Sequence, residues 1–392
     1  MATLILREPR RFPFDPRVVA VAVALAVWMG LATFTAAGGR QLALFIVGLL
    51  LGISLYHAHF GFTSAWRRLI VAGDGRGLRA QMLMLSVAVV LFFPLLVLAP
   101  RLGWSLGGAV APAGVSVAVG AFLFGIGMQL GGGCASGTLF GAGGGSTRLV
   151  ITLVFFIVGS VLGTLHLPFW FALPALPPLS LPLELGLLPA LLLHLALFGG
   201  IALASRWWER RRGFRAPEEN RGWHLLRGPW PLWAGAVALA LLNALTLVLA
   251  GRPWGITWAF TLWGAKIADA LDIGIREWTW WRPYAWVLDQ PLLWDITTVM
   301  NLGIMIGALL AAGLAGAFRP RLRLAAGEIA AAALGGLLLG YGARLAFGCN
   351  IGAFFSGVAS GSLHGWLWLL AALFGNALGV RLRPLFGLSR QG

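Results

Sequence analysis

Gly125-Ile126-Gly127-Met128-Gln129-Leu130-Gly131-Gly132-Gly133-Cys134-Ala135-Ser136-Gly137 returns 215 positions later as Gly340-Tyr341-Gly342-Ala343-Arg344-Leu345-Ala346-Phe347-Gly348-Cys349-Asn350-Ile351-Gly352. Both stretches read G-x-G-x-x-L-x-x-G-C-x-x-G, and they contain the only two cysteines among 392 residues. Glycine runs of this kind are expected to break a helix, because a residue without Cβ loses most backbone entropy when held helical. In an apolar chain, broken backbone is tolerated only where protein or a water-filled cavity satisfies its amides. Two breaks at corresponding points of two repeats are a sequence pointer to the binding site of a transporter.

Composition places the chain in a bilayer. It is 59% hydrophobic with only 11% charged residues, less than half the share of a soluble domain. Apolar stretches of the required length fall at 18–36, 41–60, 80–100, 112–130, 149–167, 187–204, 230–250, 291–317, 325–346 and 364–381, which predicts ten crossings plus short re-entrant pieces. The fold class expected is therefore an all-α polytopic membrane protein. The net charge of +16 raises the question of nucleic acid. With an inside N-terminus, however, 22 of the 29 Lys and Arg residues fall on one side, as the positive-inside rule expects. They include Arg7, Arg10, Arg11, Arg17, Arg67, Arg68, Arg76, Arg79, Arg148, seven arginines from Arg206 to Arg227, Arg319, Arg321, Arg323, Arg381, Arg383 and Arg390. No basic stretch is long enough to fold as a nucleic-acid domain outside the membrane. The N-terminal apolar run 18–34 exceeds the core of a signal peptide and reads as an uncleaved first span. Two cysteines without a CxxC pair supply neither a disulfide scaffold nor a metal site, so no cofactor or metal is expected.

A weaker repeat accompanies the first. Gly52-Ile53-Ser54 leading to Phe60-Gly61 matches Gly255-Ile256-Thr257 leading to Trp263-Gly264, giving each half an aromatic-Gly break before its Cys-Gly break. The domains expected are an extra N-terminal helix at 1–40, a first repeat at 41–204, an Arg-rich cytoplasmic linker at 205–229 and a second repeat at 230–392. Equivalent spans lie five crossings apart, an odd number, so the repeats must be inverted and share a site near the midplane. The proline-rich run 167–188 reads as an extended outer connection. Most tryptophans flank span ends, as interfacial belts do.

Cys134 and Cys349 are the foremost site residues, each followed by a short helical piece at 135–140 and 350–358. Helix N-termini present free N–H groups and partial positive charge, and neither motif contains an acid, so an anion is the expected ligand. Gly133, Gly137, Gly348 and Gly352 would bring backbone close to it, with Ser136 and Asn350 beside the thiols. Gly307 and Gly313, inside an unbroken span, are expected to tolerate a methyl group better than Gly133 or Gly348. Arg344, at the position Gln129 holds in the first repeat, and Lys266, the only lysine, are cations at membrane depth. Gly61 and Gly264 mark the aromatic breaks. Asp269, Asp272, Asp295, Glu328, His57, His59 and His364 read mainly as packing or pairing residues.

Gly133-Cys134-Ala135-Ser136-Gly137, Leu262-Trp263-Gly264-Ala265-Lys266 and above all Gly348-Cys349-Asn350-Ile351-Gly352-Ala353-Phe354-Phe355-Ser356-Gly357 resemble the YeeE/YedE family of bacterial membrane proteins. The resemblance implies an inner-membrane transporter of sulfur compounds, not an enzyme, with thiosulfate the characterised substrate and cysteines passing the ion along by S–H···S contacts. It implies those roles for Cys134 and Cys349. Family thiosulfate transporters carry a third cysteine in the first break, where Tyr56-His57-Ala58-His59-Phe60-Gly61-Phe62-Thr63 has none. Some members also have a small TusA-like cytoplasmic sulfur carrier as partner. The rival expectations are a selenium-compound transporter of this fold, a membrane sulfurtransferase working through a cysteine persulfide, and a membrane subunit that only scaffolds a partner.

Overall fold

The computed structural model describes residues 14–215 and 223–390. Arg7, Arg10, Arg11 and Arg221 of the basic set lie outside the described residues, as does the middle of the expected linker. The described chain is helical. It runs through α1 (Pro16–His57), α2 (Phe62–Ala72), α3 (Arg76–Leu98), α4 (Val115–Gly131), α5 (Ala135–Gly143), α6 (Thr147–Phe171) and α7 (Leu181–Glu184). It continues with α8 (Leu187–Arg212), α9 (Leu232–Ala250), α10 (Thr257–Ala270), α11 (Ile296–Leu314), α12 (Ala326–Leu345), α13 (Ser356–Ala359) and α14 (Leu363–Leu382). The only sheet among these residues pairs Ala113–Gly114 with Ala175–Leu176.

Among the described residues, nine segments are long and apolar enough to cross a membrane. The first of them contains two arms. Gly38 adopts φ 80°, ψ −175°, a conformation open to glycine but not to other residues, and the chain reverses there. A methyl group on Gly30 would meet Leu42 and Phe45, residues that a continuous helix would hold far away at 1.5 Å rise per residue. The arms 16–37 and 39–57 therefore lie antiparallel, matching the first two expected crossings. The other spans match to within a few residues. The connection between α6 and α8 is shorter than expected, because α6 runs through Pro168 to Phe171. At the opposite end α8 extends through the start of the expected linker. Its Glu209 carboxylate takes Arg79 at 2.7 Å and the Gly75 amide at 2.9 Å.

Packing is reciprocal between the two halves. The second arm of α1 packs on α11 as α9 packs on α3, and α6 packs on α12 as α14 packs on α4. The pair α10 with α6 likewise corresponds to α2 with α14. The contacts are backbone to backbone at glycines, the usual way to gain dispersion energy where lipid removes the hydrophobic drive. A Cβ on Gly52 would fall 2.2 Å from the Ile304 carbonyl oxygen, and one on Gly307 would fall 2.1 Å from that of Leu49. The expected slack at Gly307 and Gly313 is thus absent: Gly313 also has Val18 and Val19 at 3.0 Å.

The same contacts revise the reading of the duplicated motif. Gly125, Gly127, Gly340 and Gly342 do not break their helices. They sit inside α4 and α12 and bring α4 against α12 and α14, and α12 against α6. A Cβ on Gly342 would lie 2.4 Å from the Gly120 carbonyl oxygen and one on Gly127 would lie 2.8 Å from that of Gly335. Gly52→Ala and Gly307→Ala should each lower the stability of the detergent-solubilised protein by about 1–3 kcal/mol, the usual cost of overpacking. Gly199→Ala should be harmless in the same thermal melts, since nothing lies within 4 Å of that position. Equal melting of all three variants would mean that these helices are not in backbone contact.

Candidate functional site

Both helices that carry the motif stop where the backbone turns left-handed. In the first copy Gly132 has φ 89°, and in the second Phe347 has φ 58° and Gly348 φ 148°. Each cysteine follows in extended conformation (φ −80°, ψ −171° at Cys134; φ −107°, ψ −166° at Cys349) and caps the next element. Cys134 heads α5, and its sulfur accepts the Gly137 amide at 3.4 Å. Cys349 heads a π-helical turn, Asn350–Phe355, that leads into α13, and its sulfur accepts the Ile351 amide at 3.4 Å. Sulfur thus takes the place of the oxygen of an ordinary N-cap, which aims the start of a helix at each thiol.

The breaks approach from opposite ends of the bundle. Around Cys134, the terminal carbonyls of α4 are covered by cations that suit a helix C-terminus. Arg383 donates to Gln129 O at 2.8 Å and Arg148 to Leu130 O. Around Cys349, Phe347 stacks on Phe171 at the far end of α6, with ring centroids 4.9 Å apart, and Trp368 donates to Gly348 O at 3.2 Å. The two loops nevertheless meet in the interior. α5 touches the Asn350–Phe355 turn, and Cys349 lies within electrostatic reach of both Cys134 and Arg344.

Both thiols are sealed, at 1% and 0% exposure. Ser136 Oγ lies 3.3 Å from the Cys134 sulfur, and the Phe62 amide at the start of α2 also lies near it. No carboxylate or imidazole hydrogen-bonds either sulfur among the described residues, so neither has a base to activate it as a nucleophile. An unbroken chain of rings passes through this layer: Phe62, Phe354, Trp368, Phe124, Phe156 and Phe260. These rings fill the space between the halves.

The remaining predicted residues divide. Gly133 and Gly348 are crowded: a Cβ would lie 3.0 Å from the Thr138 amide nitrogen and 2.9 Å from that of Ala353. Gly137 and Gly352 have room, and the bare face of Gly137 looks at the Cys134 sulfur, 3.4 Å from where its Cβ would be. Asn350 is fully buried, and neither its Oδ1 nor its Nδ2 has a protein partner. Arg344 donates to Thr257 Oγ1 at 3.1 Å and leaves a buried Nε unpartnered. Gly61 caps α2 at a true break.

The break expected at Gly264 is not there. Gly264 lies inside unbroken α10, packed on Ile157 and Val161. Lys266 is occupied by the carbonyls of Leu288 and Gln290, at 2.5 and 2.7 Å. The second aromatic break lies earlier, between α9 and α10, so Phe60-Gly61-Phe62-Thr63 corresponds to Trp254-Gly255-Ile256-Thr257 rather than to the stretch ending at Gly264. That four-residue match was hidden by a longer one in the wrong register. With it, the sequence would have revealed Trp254, which is fully buried with an unpartnered indole N–H. Four of the acids and histidines have structural partners: Asp269 pairs with Arg276 at 2.7 Å, Asp295 caps α11, Glu328 pairs with Arg321 at 3.1 Å, and His364 meets Ser362 at 2.7 Å, whereas a buried ring nitrogen of His57 has no partner among the described residues.

Because both thiols are sealed, a maleimide should label Cys134 and Cys349 at least about tenfold faster in denaturant than in the folded protein, following access to the thiol. Rapid native labelling of both, followed by peptide mass spectrometry, would show that the junction stands open.

A family profile described as sulphur transport matches residues 57–378. Among curated proteins, the chain is 28% identical to the thiosulfate transporter TsuA of Spirochaeta thermophila, over 84% of this chain and 95% of that one. It is 26% identical to TsuA of Escherichia coli, over 84% and 91% respectively. It is 33% identical to the probable transporter YedE of Salmonella typhimurium over 42% of either chain, so less than half of the length of that relative is matched. With both cysteine junctions inside the matched region, the chain belongs to the sulphur-transport (YeeE/YedE) family of multi-pass membrane proteins.

Proposed function

We propose that this protein takes up a small sulfur-containing anion, with thiosulfate the foremost candidate, through a central constriction formed by Cys134 and Cys349. The observation that carries this reading is the pair of buried thiols, each set as the N-cap of a helical element on equivalent loops that enter from opposite ends. A neutral thiol offers an S–H donor and a soft sulfur surface, while the helix starts add amide dipoles that favour an anion. The two TsuA relatives are named thiosulfate transporters, which agrees with this chemistry.

The surrounding architecture supports the same proposal. Two inverted repeats, 41–204 and 230–392, would pivot about the shared thiol layer, with 1–40 as an added helix and 205–229 as the cytoplasmic linker. Both termini and the end bearing Arg67, Arg148, Arg319, Arg321 and Arg383 would face the cytoplasm of a bacterial inner membrane. That basic face would suit a TusA-like sulfur carrier. Moving a dianion inward against 100 mV costs about 4.6 kcal/mol, so uptake requires rapid consumption inside or a coupled ion.

Labelled thiosulfate uptake, or growth of a sulfur-auxotrophic bacterium on thiosulfate, tests the reading. Cys134→Ala and Cys349→Ala should abolish uptake, whereas Cys349→Ser should keep about a tenth of it, because the hydroxyl still donates. Gly348→Ala should cut uptake about tenfold at normal yield, since φ 148° is strained for alanine, while Gly199→Ala should transport normally. Wild-type uptake in both Cys→Ala variants would end the proposal. A cytoplasmic reporter fused after Gly222 should be active; activity of a periplasmic reporter there would invert the orientation.

A further inference from the structure

The two arms of α1 carry a pair of cavities lined by none of the residues around the thiols. The first is an apolar groove of about 420 Å³ between the arms, walled by Ala26, Gly30 and Phe34 on one and by Leu42, Phe45 and Leu49 on the other. From Ala26 to Phe34 it runs about 12 Å at 1.5 Å per residue. Gly30 keeps it open: a single Cβ there would already touch Leu42 at 3.5 Å and Phe45 at 3.7 Å.

About one turn beyond Phe34 lies the second cavity, of about 440 Å³, with a different lining: Ala36, Ala37, Arg40, Gln41, Trp294 and Ile296. Both arms end here, at the reversal on Gly38. The arm 16–37 is about 33 Å long, roughly the thickness of the hydrocarbon core. The groove therefore lies at acyl-chain depth and the chamber at headgroup depth.

The chamber is built and its polar groups are only partly used. Trp294 ties the arms together, its indole N–H donating to Ala36 O at 2.8 Å and its carbonyl accepting Gln41 Nε2 at 2.6 Å. Gln41 is only 8% exposed, and its Oε1 has no partner among the described residues. A buried acceptor left without a donor is costly. Arg40 gives Nε to Leu249 O at 2.6 Å, and no carboxylate pairs with it among the described residues. The acid next to the chamber in sequence, Asp295, accepts the Thr298 amide at 2.7 Å as the cap of α11.

We propose that the groove and the chamber form one phospholipid-binding site. An acyl chain lies in the groove, the phosphodiester meets the Arg40 guanidinium, and an N–H or O–H of the headgroup donates to Gln41 Oε1. A guanidinium matches phosphate oxygens in pairs. The acyl chain gains little over bulk lipid, which is equally apolar, so selectivity falls to Arg40 and Gln41. Ethanolamine and glycerol headgroups supply the required donor, whereas choline, with three methyl groups on nitrogen, has none. Phe45 and Leu49 belong to the arm whose Gly48 and Gly52 touch the α11 backbone, so the bound lipid braces that helix pair from outside. The inference does not depend on which substrate is carried.

The test gives lipid-stripped, full-length protein in detergent phosphatidylethanolamine, phosphatidylcholine or the deacylated headgroup glycerophosphoethanolamine, with native mass spectrometry as readout. Phosphatidylethanolamine should persist as a one-to-one adduct, retained about fivefold better than phosphatidylcholine, the worth of one hydrogen bond. The deacylated headgroup should leave no adduct. Arg40→Ala, at an exposed position, should cut the adduct about tenfold through loss of a charge-assisted bond. Gly30→Leu, which fills the groove, should do the same, and the lipid comparison on the wild type needs no variant to fold. Equal retention of the two lipids, or an Arg40→Ala variant that keeps its adduct, means ordinary annular lipid and overturns the site. Binding of the deacylated headgroup alone overturns it in favour of a free phosphate site. Cross-linking of two copies through cysteines placed at Val27 and Leu31 in bilayers overturns it in favour of a dimer contact.

Discussion

The structure depends on how closely α4 and α12 approach. These helices cross at Gly120, Gly127, Gly335 and Gly342, where a single methyl group would collide with backbone of the partner. Lipid provides no hydrophobic gain for helix association, so the attraction comes from dispersion between backbones at contact distance. The same two helices end in the two cysteine loops. Their separation therefore bears directly on how near Cys134 and Cys349 can come.

Each loop solves a local problem that the crossing creates. A helix stopped inside the bundle leaves its last carbonyls and the first amides of the next piece without partners. At the Cys134 end the carbonyls are taken by Arg383, Arg148 and the Thr152 hydroxyl. At the Cys349 end Ser116 takes the Leu345 carbonyl at 2.6 Å and Trp368 takes that of Gly348. The first amides turn to the cysteine sulfurs, which are weak acceptors. Strong donors are thus spent on the last carbonyls of the stopped helices, and only weak acceptors stand at the helix starts.

Sealing is achieved by rings and not by charges. Phe62, Phe354, Trp368, Phe124 and Phe156 form a connected set of rings through the core, and of the arginines Arg344 reaches in toward Cys349. Aromatic packing holds water out, yet individual rings can change rotamer without breaking a salt bridge. The described ion pairs lie elsewhere: Arg79 with Glu209 anchors α8, and Arg276 with Asp269 and Asp289 ties down the loop between α10 and α11.

Much of this was legible in the chain. Mean hydropathy and span length gave the crossings, because a bilayer imposes length and apolarity directly on sequence. The duplicated cysteine motif gave the position of both loops, since only glycine adopts φ 89° at residue 132 or φ 148° at residue 348 without strain. The sequence could not distinguish a glycine that breaks a helix from one that lets two helices touch. Gly125 and Gly342 look the same in either role, and only the partner backbone decides. It also misplaced the break expected at Gly264, because a register match over ten residues says nothing about where a helix begins. Which polar groups are left without partners, as at Asn350 and Trp254, is a property of every neighbour at once. That was decided by tertiary structure alone.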